Sequence, residues 1–368
     1  MTSPAPLKPV LVYDGRIGDL YRIFLINLLL NIVTLGIWRF WAITRTRRYV
    51  WSRFSSLGSR FEYDGTGTQL FVGFLLAALI VFGLGTIAVV ISVLLRNTGP
   101  AGRVLPLGVF EFFIVLLSLG APFSAQRYRL GHTVWRGIRG GMQGSMLNYG
   151  AVTMFYSALQ AITLFQLVPW VSLRLYERRI NASFFGTQRF SSHSRVGKLY
   201  LRYVLTFIGI VALGVAVFGT VYVLAGPVWK AMADASRHPV DPATMSSFLF
   251  MIIPAYLVFG VGAAVISASY SAAFYRHVAS HTSLGDLHFA SAVTGIAVLR
   301  LIIGNLAILA LSLGLGMPIV IQRNAQYFAT NLLATGALDL ASLGQNEQPV
   351  SRFGEGMFQV LDAGAGIT

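Results

Sequence analysis

The chain has 368 residues, of which 55% are hydrophobic and only 11% charged, with a formal net charge of +15. Soluble domains carry roughly 25% charged residues, so this composition excludes an ordinary water-soluble fold and points to a helical membrane protein. The absence of cysteine excludes disulfides, thiol catalysis and cysteine metal sites.

In chain order, the first nineteen residues are polar and hold Pro4, Pro6 and Pro9. They lack the charged start, short apolar run and small-residue cleavage site of a removable signal, so the first apolar segment is expected to stay in the protein. Seven apolar segments follow, at about Tyr21–Ile43, Leu70–Leu95, Val104–Phe123, Leu147–Val171, Leu199–Val228, Ser247–Phe274 and Ala290–Ile321. Each reaches the ~20 residues that cross a bilayer as helix. No ~10-residue alternation suggests a transmembrane barrel. Tyr13-Asp14-Gly15 precedes the first segment and Tyr63-Asp64-Gly65 the second. Short alternating runs such as SRFEYDG at 59–65 predict strand-turn elements at the cytoplasmic membrane surface.

The segments resemble one another. An ungapped shift pairs Thr34 with Thr163, Leu35 with Leu164, Trp41 with Trp170, Arg45 with Arg174 and Leu70 with Leu199. A fainter copy aligns His132-Thr133 with His281-Thr282, Pro169 with Pro318 and Arg174 with Arg323. The expected organisation is a single membrane domain over 1–322, with degenerate parallel repeats at about 12–120, 121–270 and 271–340, and a short cytoplasmic tail over 323–368.

Seven single crossings would split the loop Lys and Arg almost evenly between the two faces, against the positive-inside bias expected of so basic a protein. If the first, fourth and seventh segments bend back to the face they came from, sixteen bases fall inside and four outside. The matched copies then run in the same direction. The alternative is a set of kinked single spans. A bend inside lipid needs its backbone satisfied. Thr34-Leu35-Gly36, Pro169, Gly304-Asn305 and Pro318 are the candidate bends, and Asn27, Asn31, Gln160 and Gln166 the candidate partners for freed backbone groups.

The Tyr-Asp-Gly turn followed by LYRIFLINLLLNIVTLGIWRFWAITRTRRYVW and LGSRFEYDGTGTQLFVGF resembles the YjgN family of bacterial inner-membrane proteins, a family of unknown function. YRLGHTVWRGIRGGMQGSMLNY at 128–149 and FGEGMFQVLDAG at 353–364 carry the same resemblance. It implies an inner-membrane location and a multi-pass architecture, and it brings no reaction, substrate or catalytic residue; the bent-segment threading places both termini on the cytoplasmic side.

Trp38, Trp41 and Trp51 beside Arg45, Arg47, Arg48 and Arg53 are the interface anchors expected where a segment leaves the membrane. A sharper reading makes Arg45, Arg47, Arg48, Arg174, Arg178, Arg179 and Arg323 contacts for anionic phospholipid headgroups or another anionic ligand, since guanidinium pairs bidentately with phosphate. Glu111 and Arg300, with Asn31 and Gln160, form a candidate intramembrane polar site, because ionisable groups at membrane depth default to a functional reading. His277 and His281 are spaced for a metal on one helix face, but a surface or capping role is expected. No enzymatic arrangement, cofactor or nucleic-acid partner is expected. Two functions follow as expectations: a transporter or channel-like protein for a small or anionic solute, or a non-transporting protein that binds lipid or organises the membrane.

Overall fold

In the computed structural model, residues 7–233, 241–338 and 343–345 are described. Two two-residue strands, β1 (Lys8–Pro9) and β2 (Val12–Tyr13), open the chain. Helices α1 (Ile17–Val33) and α2 (Arg39–Ser52) lead to a β-hairpin, β3 (Phe54–Ser56) and β4 (Ser59–Tyr63). Next come α3 (Gly67–Leu94) and α4 (Pro100–Gly131), then β5 (Thr133–Trp135) and β6 (Ile138–Met142). The order continues with α5 (Met146–Ile162), α6 (Val168–Ala182), β7 (Ser183–Phe185) and β8 (Gln188–Ser192). Then follow α7 (Gly197–Leu224), α8 (Gly226–Ala233), α9 (Pro242–Ser280), β9 (Thr282–Leu284) and β10 (Leu287–Ser291). The last elements are α10 (Gly295–Leu311), α11 (Met317–Asn331) and β11 (Leu332–Thr335).

The fold is mostly helical, as expected, but the expectation of an all-α class with only short strand-turn elements is corrected. All eleven strands join one antiparallel sheet, in the order β1-β11-β10-β9-β8-β7-β6-β5-β4-β3-β2. The physical reason is that such short hairpins are marginal alone and gain stability by pairing with further strands. The ends of this order are β1 and β2, which belong to one segment with only Val10 and Leu11 between them, and the Val10 N–H donates to the Leu332 carbonyl at 3.2 Å. The sheet therefore closes on itself, leaving no long unpaired edge. Gln322 on α11 fastens the same seam: its Nε2 donates to the Gly15 carbonyl at 2.7 Å, and Tyr13 Oη donates to its Oε1 at 3.2 Å. Tight hairpins come from paired left-handed residues, Leu57 and Gly58 in one turn and Arg136 and Gly137 in another.

Alternation sorts the side chains. One sheet face carries Phe61 on Trp135 (ring centroids 6.1 Å), Trp135 near Phe185 (6.0 Å) and Phe190 on Phe289 (6.2 Å). The other is polar, with Arg60 paired to Asp14 at 2.5 Å, Arg139 paired to Asp64, and Arg189 donating to Gln143 Oε1 at 2.9 Å. In each case an arginine second in its strand reaches the residue that follows an earlier strand.

Among the described residues, four helices are long and apolar enough to cross a membrane: Gly67–Leu94, Pro100–Gly131, Gly197–Leu224 and Met245–Ser280. The first, fourth and seventh apolar segments are instead each split into two helices of 14 to 17 residues. The breaks fall at Thr34–Trp38, Thr163–Leu167 and Ser312–Gly316. Gly304-Asn305, expected as a bend, lies inside unbroken α10, while Pro169 and Pro318 sit in the first turns of α6 and α11, where proline starts a helix.

The described residues fall into two compact units. The first comprises Met1–Arg195, Val278–Ser291 and Leu315–Thr368, and so holds the whole sheet. Here α4 and α5 approach closely: a side chain on Gly120 would strike the Met146 carbonyl, and one on Gly150 the Leu116 carbonyl. The second comprises Val196–His277 and Ala292–Gly314. In it Tyr203 packs edge-on against Tyr270 (5.5 Å), and Arg276 donates to the Val293 carbonyl. The repeat boundaries expected near 120 and 270 fall inside α4 and α9. The tail expected from Arg323 begins inside α11 and runs on into β11, and 353–364 lies outside the described residues.

Candidate functional site

Three helix breaks share one geometry. At the first, Gly36 N donates to the Asn31 carbonyl at 2.7 Å and Leu35 N to the Ile32 carbonyl at 3.2 Å. This is the Schellman closure of a helix end. At the second, Phe165 N bonds the Gln160 carbonyl (2.7 Å) and Leu164 N the Ala161 carbonyl (3.1 Å). At the third, Gly314 N bonds the Leu309 carbonyl (2.9 Å) and Leu313 N the Ala310 carbonyl (3.3 Å). The left-handed position, usually glycine, is held each time by leucine: Leu35 (φ 51°), Leu164 (φ 49°) and Leu313 (φ 50°). These leucines are 94%, 74% and 91% exposed.

The first turn leaves no N–H from Thr34 to Arg39 unbonded. Thr34 N donates to Leu30, Ile37 N to Thr34 and Arg39 N to Gly36 carbonyls, while Trp38 N donates to Thr34 Oγ1 at 2.9 Å. Asn31 and Gln160, expected to serve through their side-chain amides, serve through their main-chain carbonyls, because a Schellman turn closes the backbone on itself. Asn27 does use its side chain: buried, it accepts from Trp38 Nε1 (3.3 Å) and donates to the Ala42 carbonyl (3.4 Å), tying the two arms together.

Packing fixes the depth of this turn against α3. Trp41 lies beside Gly67, Phe40 packs on Phe71 (5.4 Å) and Phe74 (5.1 Å), and the Arg39 guanidinium lies 5.0 Å from the Phe74 ring. Leu35 lies four residues before Arg39, in the turn at 34–38, while α3 continues apolar to Leu94. The arm that leaves the turn thus packs along the first two turns of α3, with most of the apolar run of α3 beyond them.

The nominated arginines are mostly occupied. Arg48 donates to the Gly65 carbonyl (3.0 Å), Arg178 to Asn148 Oδ1 (2.7 Å), and Arg174 to Glu177 Oε2 (2.7 Å) while lying 5.9 Å from the Trp170 ring. Arg47 approaches Tyr63 Oη at 3.5 Å, Arg179 has a buried Nε near Tyr149 and Tyr176, and Arg323 is held within α11. Arg45 is exposed, with no protein partner among the described residues. Two arginines outside the nominated set share this state: Arg22 in α1 and Arg202 in α7. Each is the sixth residue of its helix, as is Arg300 in α10. The signal available was a base in the second turn of an apolar helix, in LYRIF, LRYVL and VLRLI. Arg300 stands only about 8 Å from the start of α10, and Glu111 is on the exposed side of α4 in the other unit.

Glu177 is the buried acid of the first unit. Burial raises its carboxyl, but bonds from Ser194 N (2.5 Å), Ser194 Oγ (3.0 Å) and Arg174 outweigh it and hold the carboxyl below its ordinary value. It fastens the linker before α7, as Arg48 fastens Gly65 and Arg127 the Gly144 carbonyl (3.1 Å).

Residues 8–360 match the family described as bacterial protein of unknown function, DUF898. The chain belongs to this family. Its relatives include the inner membrane protein YjgN of Escherichia coli O157:H7, 24% identical over 93% of this chain and 92% of the relative. The protein of the same name from Salmonella typhimurium LT2 is 25% identical over 92% of each chain. No solved structure matches the chain. A DUF898 membrane protein with four apolar spanning-length helices and inner-membrane relatives is what the fold and the comparisons establish together.

Proposed function

We propose that this DUF898 protein organises the membrane from its sheet side, gripping anionic phospholipid headgroups through unpaired arginines while its three short helical hairpins re-enter the bilayer. In this reading the sheet side is cytoplasmic, both termini lie there, and the short hairpins are degenerate copies of one parallel unit. The observation that carries it is the exposed, unpartnered state of Arg22 and Arg202 in the second turns of apolar helices, with Arg45 likewise free on α2. A guanidinium there reaches the headgroup level by extending along its own helix. Each base near an anionic surface contributes about 1 kcal/mol. If the short hairpins re-enter, sixteen of the loop bases fall inside and four outside by sequence, which supports the same polarity.

The test is lipid enrichment around the purified full chain in mixed vesicles. Anionic lipid is expected to be enriched over zwitterionic lipid, less so as salt rises, and the combined Arg22→Gln, Arg45→Gln and Arg202→Gln variant is expected to lose the enrichment. Equal enrichment of both lipids refutes the reading. Transport is tested in the same vesicles: protein-dependent flux of a small anion would replace the organising role with a conducting one.

A further inference from the structure

We infer that the first unit expands only the leaflet on its sheet side, and that the protein therefore selects membrane that is convex toward the sheet. The inference rests on the organising role above for its biological use, but its physical basis is the hairpin turns.

The occupant of the apolar tips is the acyl-chain layer of that leaflet. A left-handed leucine costs about 1–2 kcal/mol more than a right-handed one, and a side chain 94% exposed at Leu35 or 74% exposed at Leu164 recovers none of this by packing within the protein. Ile32, Val33 and Ile37 around the first tip, and Ile162 and Phe165 around the second, are exposed as well. In water this is a double loss, and in hydrocarbon the exposure becomes favourable. The backbone points the same way. In a medium without water every N–H must find a partner inside the protein, and from Thr34 to Arg39 every one does.

The turn of the long hairpin in the same unit has the opposite character. Between α3 and α4 the chain reads Arg96-Asn97-Thr98-Gly99, with Arg103 Nε donating to the Arg96 carbonyl at 3.3 Å, as suits an aqueous face. Seven helical arms, α1 to α6 and α11, thus belong to the first unit among the described residues, and only α3 and α4 have spanning length among them. With helices ~10 Å wide, the five short arms add about 400 Å² of cross-section to one leaflet and none to the far surface. A leaflet so expanded is relaxed when it is convex.

The experiment uses the cysteine-free full chain carrying Leu57→Cys, on the exposed β3–β4 turn, as the reporter of orientation. After reconstitution in small and in large vesicles of one zwitterionic composition, a membrane-impermeant maleimide counts the molecules whose sheet faces outward. The ratio of outward to inward molecules is expected to be at least about twofold higher in small vesicles. An equal ratio in both sizes overturns the inference. Leu35→Asp with Leu164→Asp is expected to abolish the difference. Should that variant fail to fold, a fluorophore on Leu35→Cys decides: quenching by an acyl-chain quencher supports the inference, and quenching by an aqueous one overturns it. Bias without anionic enrichment would sink the headgroup reading alone, and enrichment without bias would sink this one alone.

Discussion

The short hairpin α1–α2 and the long hairpin α3–α4 leave the same sheet and end in opposite chemistry. One turns through Thr34-Leu35-Gly36-Ile37, with exposed apolar side chains and a backbone closed on itself. The other turns through Arg96-Asn97-Thr98-Gly99, with a charged pair of arginines and a short 3-10 turn. The difference teaches that a turn records its solvent. Water completes the hydrogen bonds of a polar turn, whereas a turn in hydrocarbon must complete its own.

The largest expected effect comes from breaking that contrast. Leu35→Asp places a carboxylate at the tip of α1–α2, at a cost of about 2.5–3.5 kcal/mol if the tip is at membrane depth, while Asn97→Asp on the far turn is expected to change stability by less than about 0.5 kcal/mol. Thermal unfolding of the two variants in lipid discs checks this, and equal shifts would erase the distinction between the turns. Next is the close approach that seats a short hairpin against a long one. Gly150→Leu drives a side chain into the Leu116 carbonyl and is expected to cost about 3 kcal/mol. Gly108→Leu, with open space around it on α4, is expected to leave the melting temperature unchanged.

A pH prediction sharpens the same point at the sheet side. Because the folded state holds Glu177 below its ordinary value, its stabilisation is complete above about pH 4.3 and is lost as pH falls through the lower folded value. Glu177→Gln is expected to be less stable at neutral pH and to show a flatter acid limb in a series of melting curves. The smallest effect is expected from Leu35→Gly, which relieves the left-handed strain by about 1 kcal/mol yet removes the apolar tip. Melting is expected to rise slightly in detergent while acyl-chain quenching near the turn declines.

Much of the helical layout was legible in the sequence. The run Thr34-Leu35-Gly36 marked where the first apolar segment breaks, because a Schellman turn is local and its residues are contiguous, whereas the second and third breaks were sought at Pro169, Gly304-Asn305 and Pro318 and fall at 163–167 and 312–316. The strands were legible as local alternation, as in SRFEYDG, but not as a sheet. Lys8 pairs with Ala334 and Phe61 with Trp135, and pairing across such separations leaves no local signal. Which arginines are engaged within the protein was illegible for a related reason. Arg45 and Arg48 read alike in TRTRRYV, yet only Arg48 meets a carbonyl, that of Gly65 at the foot of α3. Pro169 looked like a kink because its flanks are apolar, and it starts a helix because the turn lies just before it.

The account stands or falls on whether the short hairpins turn inside the bilayer. The direct measurement is labelling of single Leu35→Cys and Asn97→Cys chains in sealed vesicles of known orientation with a membrane-impermeant maleimide. The prediction is that Asn97→Cys reacts from the side opposite the sheet and Leu35→Cys from neither side. Reaction of Leu35→Cys from the side opposite the sheet would show that α1 crosses the membrane and would contradict the account.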